Sequence, residues 1–304
     1  VLAERRRSVV VARFHHRVRA GTVGHHRTFV SYPINVCCGG TIRVELERGA
    51  LLVAPTTADM TETDVPDDHP RYASLVTRHR IEAGVEAGIT SKQGLIAQGR
   101  GEAFDYLLGE RTLQSADDAA RAAAAALLAA DRPVISVNGN VAALAPGETV
   151  ELAEAVDADL EVNLFNHTDE RVRRIADHLR DHGADEVKGL AADGEIPGLS
   201  HARGTVDADG IEAADVVVVP LEDGDRAAAL DDMGKTEIVI DLNPGSRSPQ
   251  TASVPVIDNL IRAVPNVTAH ARDLADAADA ELEAILERFD ADAALADAEA
   301  AIRD

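Results

Sequence analysis

The stretch Ala214–Ala263, ADVVVVPLEDGDRAAALDDMGKTEIVIDLNPGSRSPQTASVPVIDNLIRA, decides the fold. Two short apolar runs, Val216–Val219 and Ile238–Ile240, stop abruptly in polar residues. Pro220-Leu221-Glu222-Asp223-Gly224-Asp225 follows the first and Asp241-Leu242-Asn243-Pro244 the second. Runs of this length, rich in Val and Ile, read as buried strands, and the helical stretch Arg226–Met233 between them completes a β-α-β unit. In an open parallel sheet, ligands sit in the crevice beyond the carboxyl ends of the strands. Here those ends carry Asp, Asn, Ser and Arg among Gly and Pro, the composition of a small-molecule site.

The alternation extends in both directions. Upstream, the pattern predicts a strand at Val134–Val137, a helix at Glu148–Ala155, a strand at Leu160–Phe165, a helix at Glu170–Leu179 and the start of a strand at Glu186–Val187. Residues 191–210, with four Gly and weak periodicity, read as a loop. Downstream come strands at Glu237–Leu242 and Val254–Ile257. Ahead of the alternation, a helix runs from Pro70 to about Ala87, with Pro suited to the first turn. A Gly-rich loop then leads into a short helix at Glu102–Leu108 and an Ala-rich one at Ser115–Ala130. Residues 269–302 read as helical, with Leu274, Leu282, Ile285, Leu286 and Phe289 as the buried stripe. The expected fold is α/β: a Rossmann-like three-layer arrangement around a mostly parallel sheet, with a helical N-terminal region and a helical C-terminus.

Charge excludes one class of partner. The chain carries 53 acidic and 30 basic residues, a formal net charge of -23, and only three of the basic residues are Lys. Such a surface repels nucleic-acid phosphates. Val, Ile, Leu and Ala are too frequent and too regularly placed for a disordered chain. The balance suits a halophilic protein, because screening over a few Å in high salt softens the self-repulsion.

The acidity breaks at Met60. Residues 1–59 hold nine Arg against four acidic residues, both cysteines (Cys37 and Cys38) and four of the eleven His. The expected organisation is therefore an upstream-translated or non-native extension over 1–59 and a single ligand-handling domain over 60–304. A basic arm or an Arg-rich presequence is the alternative reading of the first segment, whose apolar run Val9–Ala12 is too short for an export signal. No run reaches the length of a membrane span, and two adjacent cysteines make neither a disulfide framework nor a zinc site. A cytoplasmic location is expected.

Gly234-Lys235-Thr236 looks like the tail of a phosphate-binding loop, but it follows a helix and opens a strand, the reverse of what phosphate cradling needs. No G-x-G-x-x-G follows any strand. Four other constellations carry chemistry. Asp241 to Ser248 stands at a strand end, where Asp or Asn can bond a ribose or base edge and Arg247 can grip a phosphate as a fork; the same residues also suit a plain turn. Asn138-Gly139-Asn140 stands at another strand end and equally matches a tight turn. In Gln98-Gly99-Arg100-Gly101-Glu102, bare glycines would let backbone approach an anion beside Arg100, or simply form a loop. Glu222-Asp223-Gly224-Asp225 offers carboxylates to Mg²⁺ through water, or to the positive end of a helix.

Seven blocks together resemble the archaeal 4-phosphopantoate–β-alanine ligase family, also called phosphopantothenate synthetases. They are HPRYASLVTRHRI (69–81), GLIAQGRGEAFDYLLGE (94–110), PVISVNGNVAAL (133–144), LEVNLF (160–165), IPGL (196–199), ADVVVVPLEDGDRAAAL (214–230) and IDLNPGSRSPQTASVPVIDNLIRA (240–263). The resemblance runs from about His69 to the 270s and has no counterpart in residues 1–59. It implies ATP-dependent joining of 4-phosphopantoate and β-alanine into 4-phosphopantothenate, with AMP and diphosphate released through an acyl-adenylate, in coenzyme A synthesis. It further implies a homodimer. ATP contacts carry over onto Arg78, Arg100, Asp241, Leu242, Asn243, Arg247, Ser248, Asn259 and Leu260, with Arg78, Arg100 and Arg247 as the catalytic cations.

Position alone adds Asn138 and Asn140 for the substrate and Asp223 and Asp225 for Mg²⁺. Two departures stand out: Ser248 where Thr is commoner, which keeps the hydroxyl, and Gln98 where His is commoner, which puts any imidazole role there in doubt. A nicotinamide-dependent oxidoreductase and a non-catalytic nucleotide-binding regulator remain as alternatives; the first lacks its Gly fingerprint.

Overall fold

The structure, a computed structural model, describes residues 65–66, 68–221 and 224–303, together with the backbone of 29–36 and 40–47. These fall into two units divided between Asp59 and Met60. In the first, β1 (Phe29–Val36) and β2 (Gly40–Glu47) pair as an antiparallel hairpin.

The second unit begins with three helices, α1 (Tyr72–Glu86), α2 (Lys92–Leu107) and α3 (Gln114–Leu128). Then come β3 (Pro133–Val137), α4 (Gly139–Leu144), α5 (Pro146–Val156), β4 (Asp159–Val162) and α6 (Asp169–Asp181). A small antiparallel pair, β5 (Gly194–Glu195) with β6 (Thr205–Val206), precedes β7 (Val216–Pro220), α7 (Gly224–Asp232), β8 (Thr236–Asp241), α8 (Arg247–Thr251) and β9 (Val254–Ile257). Helices α9 (Leu260–Asp273), α10 (Asp279–Arg288) and α11 (Ala291–Arg303) follow.

The central sheet has the order β4-β3-β7-β8-β9 and every pairing in it is parallel. Chain order reverses between β3 and β7, so the topological switch point lies there. Alternate strand residues serve opposite faces, as strand geometry requires. Ile135, Val137, Val218, Ile238, Ile240 and Val256 share one buried cluster with α3, α5 and α9. Val134, Val217, Val219 and Val239 share another with Ala229 and Leu230 of α7. The Ala-rich face of α3 is wholly buried over Ala119–Ala125, small side chains that let a helix lie close on its neighbours.

The α/β expectation holds, with three local corrections. The Gly-rich loop with a short helix beyond it is one continuous helix, α2: Ser91 caps it by accepting from the Gly94 backbone N–H at 3.2 Å, and Gly99 and Gly101 lie inside it. The strand expected at Glu186–Val187 is reduced to one parallel bridge, Glu161 to Lys188. The segment 191–210 is mostly loop but carries the β5–β6 pair. The Gly234-Lys235-Thr236 decoy is accounted for: the Lys235 ammonium donates to the carbonyls of Glu212 (2.8 Å) and Ala214 (2.6 Å).

Two carboxylates are buried in the sheet. Glu161 accepts backbone N–H bonds from Asp207 (3.1 Å) and Ile211 (2.6 Å), and burial pushes its carboxyl up to about 7. Glu237 is completely buried with neither oxygen hydrogen-bonded among the described residues, and burial pushes it up to about 8.

Candidate active site

A cavity of about 590 Å³ opens beyond the carboxyl ends of all five strands of the main sheet. Its walls include Leu164–Asn166 after β4, Asn138–Asn140 after β3, Leu221 and Gly224 after β7, Asp241–Asn243 and Ser246–Ser248 after β8, and Asn259-Leu260 after β9. Helix α2 closes one side with Gly94, Ala97, Gln98, Arg100, Gly101 and Phe104. The parallel sheet delivers these loops to one rim, as the strand-end rule requires.

On the β8 side, the Asp241 carboxylate organises the turn. Its Oδ1 accepts from the Asn243 backbone N–H at 3.0 Å and its Oδ2 from the Ser246 hydroxyl at 2.9 Å. Burial raises its pKa, while those hydrogen bonds and the charge of Arg100 oppose the rise. The Asn243 side-chain Oδ1 accepts from the Gly245 N–H at 3.0 Å, leaving its side-chain amide nitrogen uncommitted among the described residues. Arg247, at the start of α8, is 77% exposed in its side chain, and among the described residues the one acid its guanidinium approaches is Asp225, at 4.0 Å. Arg100 makes no hydrogen bond to the described residues and stands on the cavity wall. These uncommitted cations around an apolar and amide-lined hollow suit a polyanionic nucleotide.

Several expected residues are present but already engaged. The Asn138 side chain caps α4, accepting from the N–H groups of Asn140 and Val141, and donates to the Pro220 carbonyl at 2.8 Å. The Asn140 side-chain Oδ1 accepts from the Thr90 hydroxyl, and its Nδ2 donates to the Gly94 carbonyl at 3.0 Å. Asn259 caps α9 through Ile261 N–H and donates to Asp105 at 2.7 Å. All three amides hold the cavity wall in shape. Gly94 belongs to this joint, since a Cβ there would collide with Asn140 and Thr90. Leu242, Ser248 and Leu260 also line the cavity as expected.

Arg78 is the exception. It lies outside the cavity wall and donates from Nε to both oxygens of Glu102, at 2.9 Å each, with Nη2 bonded to the same carboxylate. Of the two metal candidates, Asp223 lies outside the described residues. Asp225 sits 3.4 Å from His201 and is not part of the wall. Among the described residues no cluster of three His, Cys, Asp or Glu side chains could hold a metal ion.

The structure also brings in residues the sequence did not single out: Thr90, Ser91, Gln93, Phe165, Asn166 and Arg171. Phe165 and Asn166 follow β4 and answer to the same strand-end rule that found Asn138. Arg171 carries no local signal.

Comparison with known proteins gives the family. Residues 115–304 match the profile of the family described as phosphopantothenate/pantothenate synthetase. The chain belongs to this family. A protein of Thermococcus onnurineus named 4-phosphopantoate–beta-alanine ligase is 54% identical over 241 residues, 79% of this chain and 92% of its own length. Ligases of the same name from Thermococcus kodakarensis and Methanosarcina mazei are 53% and 55% identical, over 79% and 75% of this chain and 93% and 90% of their own lengths. As a phosphopantothenate/pantothenate synthetase family member, the chain has its cavity where the blocks of resemblance cluster.

Proposed function

We propose that this protein joins 4-phosphopantoate to β-alanine with ATP, giving 4-phosphopantothenate, AMP and diphosphate, a step of coenzyme A synthesis. The observation that carries the reading is the convergence of the Asp241–Asn243, Arg247-Ser248, Asn259-Leu260 and Arg100 segments on one cavity, in a chain 54% identical over 241 residues to a ligase of that name.

A carboxylate is a poor acylating agent, so the acid is first activated. A carboxylate oxygen of 4-phosphopantoate attacks the α-phosphorus, forming an O–P bond while the bond to the bridging oxygen breaks and diphosphate leaves. The β-alanine amine then attacks the acyl carbon; a C–N bond forms, the C–O bond to AMP breaks, and the amine proton is lost. No covalent enzyme nucleophile is needed. The protein supplies positioning and positive charge. Arg100 and Arg247 stabilise the phosphates, the Asn243 amide and the Asp241 turn orient the nucleoside, and α2 shields the reacting centre from water. Mg²⁺ bound with the nucleotide would neutralise phosphate charge; among the described residues no cluster of three His, Cys, Asp or Glu side chains could hold it.

Incubation with ATP, 4-phosphopantoate and β-alanine, followed by mass spectrometry, tests this. AMP and 4-phosphopantothenate in equal amounts are expected. A product that requires a nicotinamide cofactor, or no product at all, would overturn it in favour of an oxidoreductase or a regulator.

Two copies pair through α2 in this reading. That helix buries the polar Gln98 and Asp105 while Leu95, Ile96, Tyr106 and Leu107 stay exposed. Ile96, Gly99, Ala103 and Tyr106 follow the three-four spacing of one helix face. Their order, large-small-small-large, reads alike in both directions. Antiparallel packing of two such helices sets Ile96 against Tyr106 and Gly99 against Ala103 of the second copy.

A further inference from the structure

Arg171 sits on the first turn of α6 and lines the cavity at the β4 side. Its guanidinium is fixed by two backbone carbonyls: Nε donates to Ile89 at 2.8 Å and Nη1 to Asn166 at 3.0 Å. Nη2 makes no hydrogen bond among the described residues. It lies against Gly139, where an added Cβ would come 2.5 Å from it. No described carboxylate reaches Arg171 within ion-pair distance, in contrast to Arg78 on Glu102 and Arg262 on Asp105 and Asp258. Half-burial without a counter-charge depresses its pKa. A fixed cation without an anion, one nitrogen left open beside a cavity, calls for an anionic ligand.

Position selects which anion. The nucleotide residues Asp241–Ser248 follow β8, and Arg171 follows β4. In the order β4-β3-β7-β8 these ends are three strand places apart, roughly 14 Å at the usual strand spacing. The acid substrate must place its carboxylate at the α-phosphorus, so its own phosphate, at the other end of a short carbon chain, points away from the nucleotide and toward β4. The bare Gly139 lets the Arg171 fork and the Ile89 carbonyl oxygen pack against it, where a Cβ would come 2.5 and 2.6 Å from them.

We propose that Arg171 binds the phosphate of 4-phosphopantoate and sets the preference for the phosphorylated acid over pantoate. This rests on the ligase reading above. Neither the neighbouring Asn138 nor Asn140 competes for the role, because their amides are committed to the wall.

The test is steady-state kinetics on the wild type, Arg171→Met and Arg171→Lys, varying 4-phosphopantoate and ATP in turn, with pantoate as a competitor. In Arg171→Met the KM for 4-phosphopantoate should rise about 10- to 150-fold, the worth of one hydrogen-bonded charge contact. Arg171→Lys should recover part of this, keeping charge but losing the fork. The KM for ATP and the inhibition constant of pantoate should not move. A purely structural strut between α6 and the Ile89 turn would instead raise both KM values and the pantoate constant together, and that result overturns the proposal, as does an unchanged KM for 4-phosphopantoate. If Arg171→Met fails to fold, Arg171→Lys alone decides by the same comparison of constants. A wild type that makes no 4-phosphopantothenate refutes the ligase reading itself; an active wild type with an insensitive Arg171 refutes only this assignment.

Discussion

Arg78 on α1 and Glu102 on α2 are locked together, with Nε and Nη2 of the guanidinium both donating to one carboxylate. Glu102 also accepts from the Ser74 hydroxyl at 2.6 Å and from Arg71 at 3.2 Å, so one acid ties the two helices in three places. Arg100, two residues before Glu102, stands on the cavity wall. The ion pair thus ties the helix that carries Arg100 to α1.

This arrangement separates two roles for Arg78. If it acts by holding α2, Arg78→Ala should lower stability by about 1–2 kcal/mol, Glu102→Ala by more because Ser74 and Arg71 also lose their partner, and the double variant should lose little more than Glu102→Ala alone. Urea unfolding of the three variants measures this. A KM for ATP that rises in Arg78→Ala but not in Glu102→Ala would instead put Arg78 on the nucleotide.

Arg247 is nearly unengaged, with Asp225 at 4.0 Å its nearest acid among the described residues. Loss of a charge-assisted contact to ATP phosphate in Arg247→Ala is expected to weaken binding by roughly 1.5–3 kcal/mol, about ten- to 150-fold. Arg247→Lys should restore part of it. Isothermal titration with ATP decides: equal affinity in wild type and Arg247→Ala would return this residue to the solvent.

The pH dependence follows from Glu237, whose carboxyl burial pushes from 4.5 to about 8. Below about pH 4.5 the group is protonated in both states. Above it the unfolded chain ionises while the folded protein keeps the proton, so stability falls as pH rises through this window and levels off past about 8. Glu237→Gln, with no proton to lose, should show its advantage at pH 9 and little at pH 4, by an amount on the order of a few kcal/mol. Thermal melts at both values check it; parallel curves would mean Glu237 titrates normally.

The acid excess concentrates beyond Asp59, where the ligase family resemblance also lies. A chain starting at Met60 is expected to fold and to keep full activity, and its melting temperature to climb as KCl is raised to molar concentrations and screens the self-repulsion. Loss of activity on truncation would assign a role to residues 1–59. A flat salt curve would remove the halophilic reading.

For α2, replacing Ile96, 74% exposed, by Glu should leave the fold intact and place a charge in the apolar stripe. Sedimentation should show wild type as a dimer and Ile96→Glu shifted to monomer. Dimers in both would move the interface elsewhere.

The Val and Ile runs of β7 and β8, and the polar residues that end them, were legible because strand composition is local and a parallel sheet sends every strand end to one rim. That logic reached Asp241, Asn243, Arg247 and Asn138 without coordinates. It misread α2, whose glycines cost about 1 kcal/mol each in helix propensity. Tertiary packing overrides that cost: Gly94 fits beneath Asn140 and Thr90, and Gly101 passes close to Leu242. It also could not say that Arg78 turns to Glu102, or that Asn138, Asn140 and Asn259 are spent on the wall. Arg171 is the plainest case, since its position depends on the Ile89 carbonyl, 82 residues earlier in the chain. Sequence patterns report local sums of propensity and hydrophobicity. Which charge finds which partner is settled only when distant helices pack and burial makes an unmatched cation costly.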